Sequence, residues 1–461
     1  MATNAELGRM PGVRVKEILN ADLGIISPQF RIAGLVSTSF TSLLKRDIAV
    51  IRGTGDTDTL TDFTADEVTS VECISPYQEA YGTQRIKLTP TTDYTVEDNV
   101  ITFTTAGKAK VAAGDTYYVT AKISKLSDHF FAPIEMQNFS QVVKEYGPEY
   151  DATNQTVNSM VAMAHLMFNA GAKRIVCVQA KTASAQDYTD AIAKLEEVGV
   201  QYVLCSGNNV TGVNEALLTH VVKMSTVENS MPRVGFTSTV QLEPTVDQVI
   251  TAANALKSQN MVLTAPGKVL IVVEDENGTS YEKWVSGNYA NAAIIGMLCN
   301  PSRRLATPLT RKDITQYGIL DAFVHYKKQD TEKMAANGVN VLLQRKSSNT
   351  IVVNQGLTTD NTNYGSYYLN IVCCKYEVAR LLQAYLDETF VGTEILEDTV
   401  SLVQSSIRNT LDGFKGLYLN NYKDLSVTRD ADIPTKLNVR FKMSGIFGLD
   451  YIDMEFSVYV Q

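Results

Sequence analysis

Between Thr57 and Lys125 the apolar positions fall in short alternating runs: Val71 to Ile74, Ile86 to Leu88, Tyr94 to Val96, Val100 to Phe103 and Tyr117 to Ile123. Turn formers such as Glu97, Asp98 and Asn99, or Gly114 and Asp115, separate them, and no segment of helical period interrupts the series. Alternating runs bounded by turn formers read as half-buried strands, so this stretch is expected to be a small β-sandwich or barrel.

From about Asn138 the period changes. Val157, Met160, Val161, Ala164, Met167 and Phe168 recur at helical spacing and stop at Gly171, after which Arg174 to Gln179 reads as a buried strand. The alternation repeats: a helix over Ala185 to Val198 ending at Gly199, a strand to Cys205, a helix from Val213 to Ser225, a strand from Arg233 to Ser238, a helix from Val246 to Ser258, and a strand from Val269 to Glu274. Strands alternating with helices predict a parallel, doubly wound sheet. Beyond Asn300 the pattern mixes, with a helix near Asp330 to Asn337, strands at Val339 to Leu343 and Thr350 to Val353, and long helices over Tyr368 to Phe390 and Thr393 to Leu411.

Both ends read as exposed strands. Val13, Arg14 and Val15 follow Pro11 and Gly12, while Ile452, Met454, Phe456, Val458 and Val460 share one face of the last segment. Before that segment, Leu437, Val439, Phe441 and Met443 alternate with Lys436, Asn438, Arg440 and Lys442. A terminal strand carrying Asp453 and Glu455, paired antiparallel to this basic face, would attract across the ladder. An uncovered strand edge invites pairing with another chain. The expected fold class is therefore α/β: a doubly wound mixed sheet core, 26–56 and 126–300, with an inserted all-β domain, 57–125, and terminal β-strand arms, 1–25 and 436–461. Residues 301–435 form a C-terminal α+β domain in this reading.

At 461 residues the chain is too long for one compact core, and its 44% hydrophobic and 20% charged residues are ordinary for a globular protein. The net charge of -9, with Lys and Arg dispersed, offers no basic patch, so nucleic acid is not an expected partner. No run approaches the roughly 18 to 20 apolar residues that cross a bilayer, and Met1 to Met10 lacks the marks of a secretory signal, so no membrane insertion is expected and the chain is read as made in a cytoplasm. Cys73, Cys177, Cys205, Cys299, Cys373 and Cys374 show no metal-ligand spacing and read as buried thiols, with intersubunit disulfides as the alternative.

The loops that follow the parallel strands carry little chemistry. Ser206, Gly207, Asn208 and Asn209 match neither phosphate-binding glycine pattern, and His129, His165, His220 and His325 stand apart from any metal or nucleophile motif. Glu274, Asp275 and Glu276, followed by Asn277 and Gly278, read as a solvated turn rather than an ion site. Ser302, Arg303 and Arg304 form a small basic cluster, suited equally to gripping an anion and to a solvated or interface role. No catalytic, cofactor-binding or metal residues are assigned and no cofactor is expected. An α/β enzyme or ligand-binding protein with a β accessory domain is the alternative, and it requires a pocket of converging polar groups.

Taken in order, these segments resemble the sheath proteins of contractile injection machines: myophage tails, R-type bacteriocins and related systems. Pro11 to Val15 is similar to the family's N-terminal arm, and Phe139 to Gly147 to the segment entering its α/β core. Ser286 to Gly296, with Pro301 to Pro308 after it, resembles its small-residue helix and following loop. Gly338 to Asn340, the long helices and the terminal β segments complete the order. Cys299, Arg303 and Arg304 depart from the usual pattern.

The resemblance implies a structural subunit, not an enzyme, that polymerises as stacked hexameric rings around a tail tube and contracts to drive the tube through a cell envelope. The implied partners are copies of itself, the tail tube protein, and baseplate and tail terminator proteins; the implied location is a virion tail assembled in the host cytoplasm. Val13, Arg14, Val15, Met454, Phe456, Val458 and Val460 would be exchanged between subunits, and Leu437, Val439 and Phe441 would receive a neighbour's strand. The β domain would be peripheral and the C-terminal α+β domain inner. Glu394, Glu397 and Asp398, on the helix expected from Thr393, are the candidate tube contact, with a solvated first helical turn, where acids suit the dipole, as the equal alternative.

Overall fold

The computed structural model describes residues 31–40, 42–60, 65–74, 85–97, 99–124, 129–323, 326–345, 348–396 and 398–450. They fall into two compact units: one holds 31–38, 131–142 and 148–450, and the other 39–130 with 143–147.

The first unit is built on an eight-stranded sheet. Its spatial order is Thr350–Val353, Val339–Arg345, Met261–Ala265, Val234–Ser238, Tyr202–Cys205, Ala33–Ser37, Ile175–Gln179 and Pro133–Met136. The inner pairings are parallel, and only the edge strands Pro133–Met136 and Thr350–Val353 run antiparallel to their neighbours. Strands Ala33–Ser37, Ile175–Gln179, Tyr202–Cys205, Val234–Ser238 and Met261–Ala265 are buried at every position. Such continuous apolar runs are what burial on both faces demands.

Helices Ala185–Ala193, Val213–Met224, Val246–Leu256 and Lys328–Ala336 cover one face through Tyr188, Ile192, Leu217, Val221, Val249, Ala253 and Met334. The other face carries Ser159–Asn169 and Asn288–Cys299, which pack on each other. Local chemistry sets these boundaries. Thr245 and Gln248 form a capping box, Ser184 caps Asp187 N, and Gly171 leaves its helix at φ +106°. At Gly296 a Cβ would lie 2.4 Å from Met167 O, so the missing side chain is what lets the two helices touch.

Several expectations are corrected here. The fifth parallel strand is Met261–Ala265, whereas Lys268–Glu274 belongs to a separate antiparallel sheet with Ser280–Ser286 and Ile319–Ala322. Its alternating burial, with Val269, Ile271 and Val273 inside and Val272 and Glu274 outside, is that of a half-exposed strand. The strand Leu437–Gly445 pairs with Leu419–Arg429, a mostly polar segment, in a two-stranded sheet. The terminal segment expected to pair with it, 451–461, lies outside the described residues.

The second unit contains two antiparallel sheets. One orders Ser42–Ile51, Thr116–Ser124, Ala65–Ile74 and Arg85–Lys87; the other orders Thr57–Thr59, Val100–Phe103 and Tyr94–Glu97. Val71, Leu88, Ile101, Phe103, Val111, Tyr117 and Val119 form its core. A short helix, Thr105–Lys110, interrupts the β pattern where none was expected. It is too short to show a helical period and buries only Gly107, whose Cβ would fall 1.9 Å from Asp93 O. Asp93, with a fully buried side chain, binds Lys110 Nζ at 2.7 Å and accepts Thr89 N at 2.8 Å.

Candidate functional site

Beyond the carboxyl ends of the parallel strands, where an α/β protein usually binds a ligand, the polar groups bond to one another. Asn208 Nδ2 donates to Thr239 O at 3.0 Å, Ser286 Oγ donates to Asn208 Oδ1 at 3.2 Å, and Asn288 Nδ2 donates to Cys205 O at 2.8 Å. Deeper in, Asn291 joins strands by donating to Thr237 O at 2.8 Å and accepting from Thr264 Oγ1. Backbones approach closely here: a Cβ on Gly267 would lie 2.2 Å from Gln241 O, and one on Gly287 2.4 Å from Pro266 O.

The histidines and thiols are likewise engaged or sealed. His129 Nδ1 meets Glu145 at 3.0 Å. His165 pairs with the buried Glu149 and stacks on Phe139 with centroids 4.2 Å apart, while Glu149 Oε2 accepts Glu274 N at 2.9 Å. His220 accepts from the buried Arg233 at 3.1 Å, and His325 lies outside the described residues. All six cysteines are buried and free. Burial pushes the Cys205, Cys299 and Cys373 thiols up to about 12. Among the described residues no group of His, Cys, Asp and Glu could hold a metal ion, and no helix is long and apolar enough to cross a membrane. Asp275 accepts Asn277 N and Thr279 N at 2.8 and 2.9 Å, which makes 274–278 a turn. Those bonds, that from Thr279 foremost, hold its carboxyl below the ordinary range.

What remains open is strand edge. Leu419–Arg429 and Leu437–Gly445 form a hairpin whose outer edges pair with no other strand among the described residues. A lone two-stranded ribbon is marginal in water and needs further cover. Helix Thr399–Phe414 supplies part of it: Gln404 Nε2 donates to Leu425 O at 3.2 Å, and Tyr422 OH to Asp412 at 3.1 Å. Asp430, accepting from Asn438 and Lys436 at 3.0 Å, fastens the turn, and those bonds hold its carboxyl well below the usual range. Lys442 pairs with Asp424 at 2.8 Å.

Of the expected receiving residues, Leu437 and Phe441 are half-buried and Val439, opposite Val427, is exposed. Met443 is the apolar residue of that face that is fully buried. Val13, Arg14, Val15, Met454, Phe456, Val458 and Val460 lie outside the described residues, as does Glu397. Glu394 and Asp398 are exposed, but the helix starts at Thr399 rather than Thr393. Gly392 turns the chain at φ +90°, and Thr399 Oγ1 captures Leu396 N at 2.8 Å, so the acids sit on the loop before the helix.

Sequence reasoning missed the polar residues that fasten residues 31–32 and 446–450 to the body of the first unit. Arg31, 6% exposed, donates through Nη2 to Asn300 O at 2.9 Å and to Arg303 O at 3.3 Å. Asn370, also buried, donates to Ala306 O at 3.1 Å and Ile446 O at 3.0 Å. Asp450 accepts from Thr310 Oγ1 at 2.8 Å and Gln355 Nε2 at 3.2 Å. Arg303 and Arg304 bind Thr307 O and Gly416 O of the same chain.

No family model matches the chain, and no curated protein matches it by sequence. Solved structures do. The anti-feeding prophage (AFP) helical sheath in its contracted state superposes with a TM-score of 0.59 at 11% identity, over 97% of this chain and 99% of that one. A chain of the 6-fold symmetrised AFP baseplate gives 0.58 at 12% identity, over 73% and 90%. The contracted PVC sheath complex of an extracellular contractile injection system gives 0.53 at 9% identity, over 97% of both chains. The α/β body, the mixed sheet and the hairpin thus form the fold of contractile injection system sheath proteins.

Proposed function

We propose that this chain is the sheath subunit of a contractile injection system, assembling with copies of itself as stacked hexameric rings around a tail tube, seated on a baseplate and closed by a terminator. The observation that carries this reading is the fold shared with a contracted sheath over 97% of this chain and 99% of the other. An enzyme that happened to reuse the α/β body would not need the hairpin and long helices as well. Hairpin edges that pair with no other strand among the described residues, and strand-end polar groups engaged with one another, support the same view.

In this mechanism Val13 to Val15 and Met454 to Val460 leave their own subunit and add strands to neighbours, with Leu437, Val439 and Phe441 on the receiving strand. Backbone hydrogen bonds supply the link and alternating side chains its register. Head-to-tail contacts that do not close generate the helix, and contraction exchanges one packing for another while the arms hold. Glu394, Glu397 and Asp398 face the tube in this arrangement. Negative-stain microscopy of the purified chain tests it: rings or long striated tubes are expected, and small discrete particles under all assembly conditions would refute it. Removing residues 451–461 is expected to leave a folded chain that forms no tubes.

A further inference from the structure

Within the first unit, residues 31–32 and 446–450 are both fastened to one loop, 300–310. At one end the Arg31 guanidinium spans Asn300 O and Arg303 O, while Ile32 N donates to Gln201 Oε1 at 2.7 Å. At the other, Thr310 Oγ1 donates to Asp450 Oδ1, and Pro308 lies where a Cβ on Gly448 would meet its Cγ at 2.6 Å. Between them Asn370 holds Ala306 O and Ile446 O with one amide.

The loop itself is stiff. Ser302 N donates to Asn300 Oδ1 at 2.9 Å, Arg303 N to Asn300 O at 3.1 Å, Thr307 N to Arg304 O at 3.1 Å and Lys312 N to Leu309 O at 3.0 Å. Leu305, Ala306 and Leu309 are buried. A segment with its turns hydrogen-bonded and its apolar side chains sunk in the body moves as a piece rather than bending between its ends.

We infer that loop 300–310 is a strut coupling residues 31–32 to residues 446–450, the roots of the two arms in the sheath reading, so that loosening one root loosens the other. The inference rests on the sheath reading for its purpose, since arms that bind neighbours on different sides must pass load through their own subunit. Its physics does not depend on that reading. Coupling between sites is reciprocal, and a chain of contacts counts as a pathway only when the coupling is measured.

Limited proteolysis of the full-length, unassembled chain measures it from both ends, because cleavage of a folded protein tracks the population of the locally open form. Arg31→Lys keeps the charge but loses the fork that bridges the two carbonyls. It is expected to raise chymotryptic cleavage after Phe447, whose side chain is 55% exposed, by about 5-fold. Thr310→Val keeps the shape and loses the Asp450 bond. It is expected to raise tryptic cleavage after Arg31 by a similar factor. In both variants cleavage within the eight-stranded sheet stays at the wild-type rate. The strut is overturned if either variant leaves the distant root unchanged, or if cleavage in the sheet rises equally, which would mean general unfolding. Coupling with no tubes by microscopy would refute the sheath reading alone; tubes without coupling would refute the strut alone.

Discussion

His220 makes the first unit acid-sensitive by an amount that can be worked out. It is 4% exposed on helix Val213–Met224, and its Nε2 faces Arg233 Nη1 at 3.1 Å. Arg233, fully buried, also donates to Leu195 O at 2.8 Å and Val198 O at 3.2 Å, tying down the chain that follows helix Ala185–Ala193. A guanidinium only donates, so Nε2 must accept and the imidazole must be neutral. Burial first, and then the Arg233 cation, push its pKa from 6.5 down to about 4. Below pH 6.5 the unfolded chain takes up a proton that the folded one refuses. The stability is therefore complete above that pH and is lost as pH falls toward 4. At about 1.4 kcal/mol per pH unit, the full effect is about 3 kcal/mol.

His220→Gln places an amide oxygen where Nε2 stood and removes the titration. The assay is guanidinium unfolding of both proteins across pH 4.5 to 7, followed by Trp284, the sole tryptophan, which lies in the same unit. The variant is expected to be less stable than wild type at pH 7 and to recover at pH 4.5, with the difference between them moving by about 2.5 kcal/mol. Every other titratable group is common to both proteins and cancels. If the difference is the same at both pH values, His220 is not the buried neutral acceptor described here.

Two further perturbations test the packing. Gly296→Val would drive a side chain into Met167 O and Ala170, whose Cβ stands 2.7 Å from the ideal Cβ position; separating the helices is expected to cost about 3 kcal/mol, read as a lowered thermal midpoint. Asp93→Asn leaves the Lys110 ammonium without its anion beside a closed core and is expected to cost the second unit about 2 kcal/mol, seen by calorimetry. The bond from Lys110 and that from Thr89 outweigh burial and hold the Asp93 carboxyl below its usual range. The wild-type advantage should therefore persist at neutral pH and fade as pH drops through the carboxylate range.

The proposed assembly site was legible at its edges only. Alternation at Leu437 to Met443 marks a strand with one apolar face, and that strand is present. Its partner Leu419–Arg429 has few apolar positions and little burial, so periodicity passes over it. Glu394 and Asp398 fell outside the helix because a threonine hydroxyl captured Leu396 N and the chain turned at Gly392, short-range choices that compete with a helix start. Arg31, Asn370 and Asp450 carry no signal at all: each acts through backbone carbonyls or side chains far away in sequence.

By itself the sequence determined most of the local conformations of the α/β body. Helical spacing with caps and glycine stops at Ser184, Thr245 and Gly171, and continuous apolar runs at Ile175–Gln179 and Tyr202–Cys205, are statements that neighbouring residues make about one another. Only the tertiary structure decided which strand lies beside which. Ala33–Ser37 enters the middle of the sheet, with Leu35 opposite both Cys177 and Leu204. The sheet then takes Met261–Ala265 and leaves Lys268–Glu274 to an antiparallel neighbour. Both runs are apolar enough to be core strands. The choice between them rests on whether a strand must bury one face or both, which is settled by what packs against it rather than by its own residues.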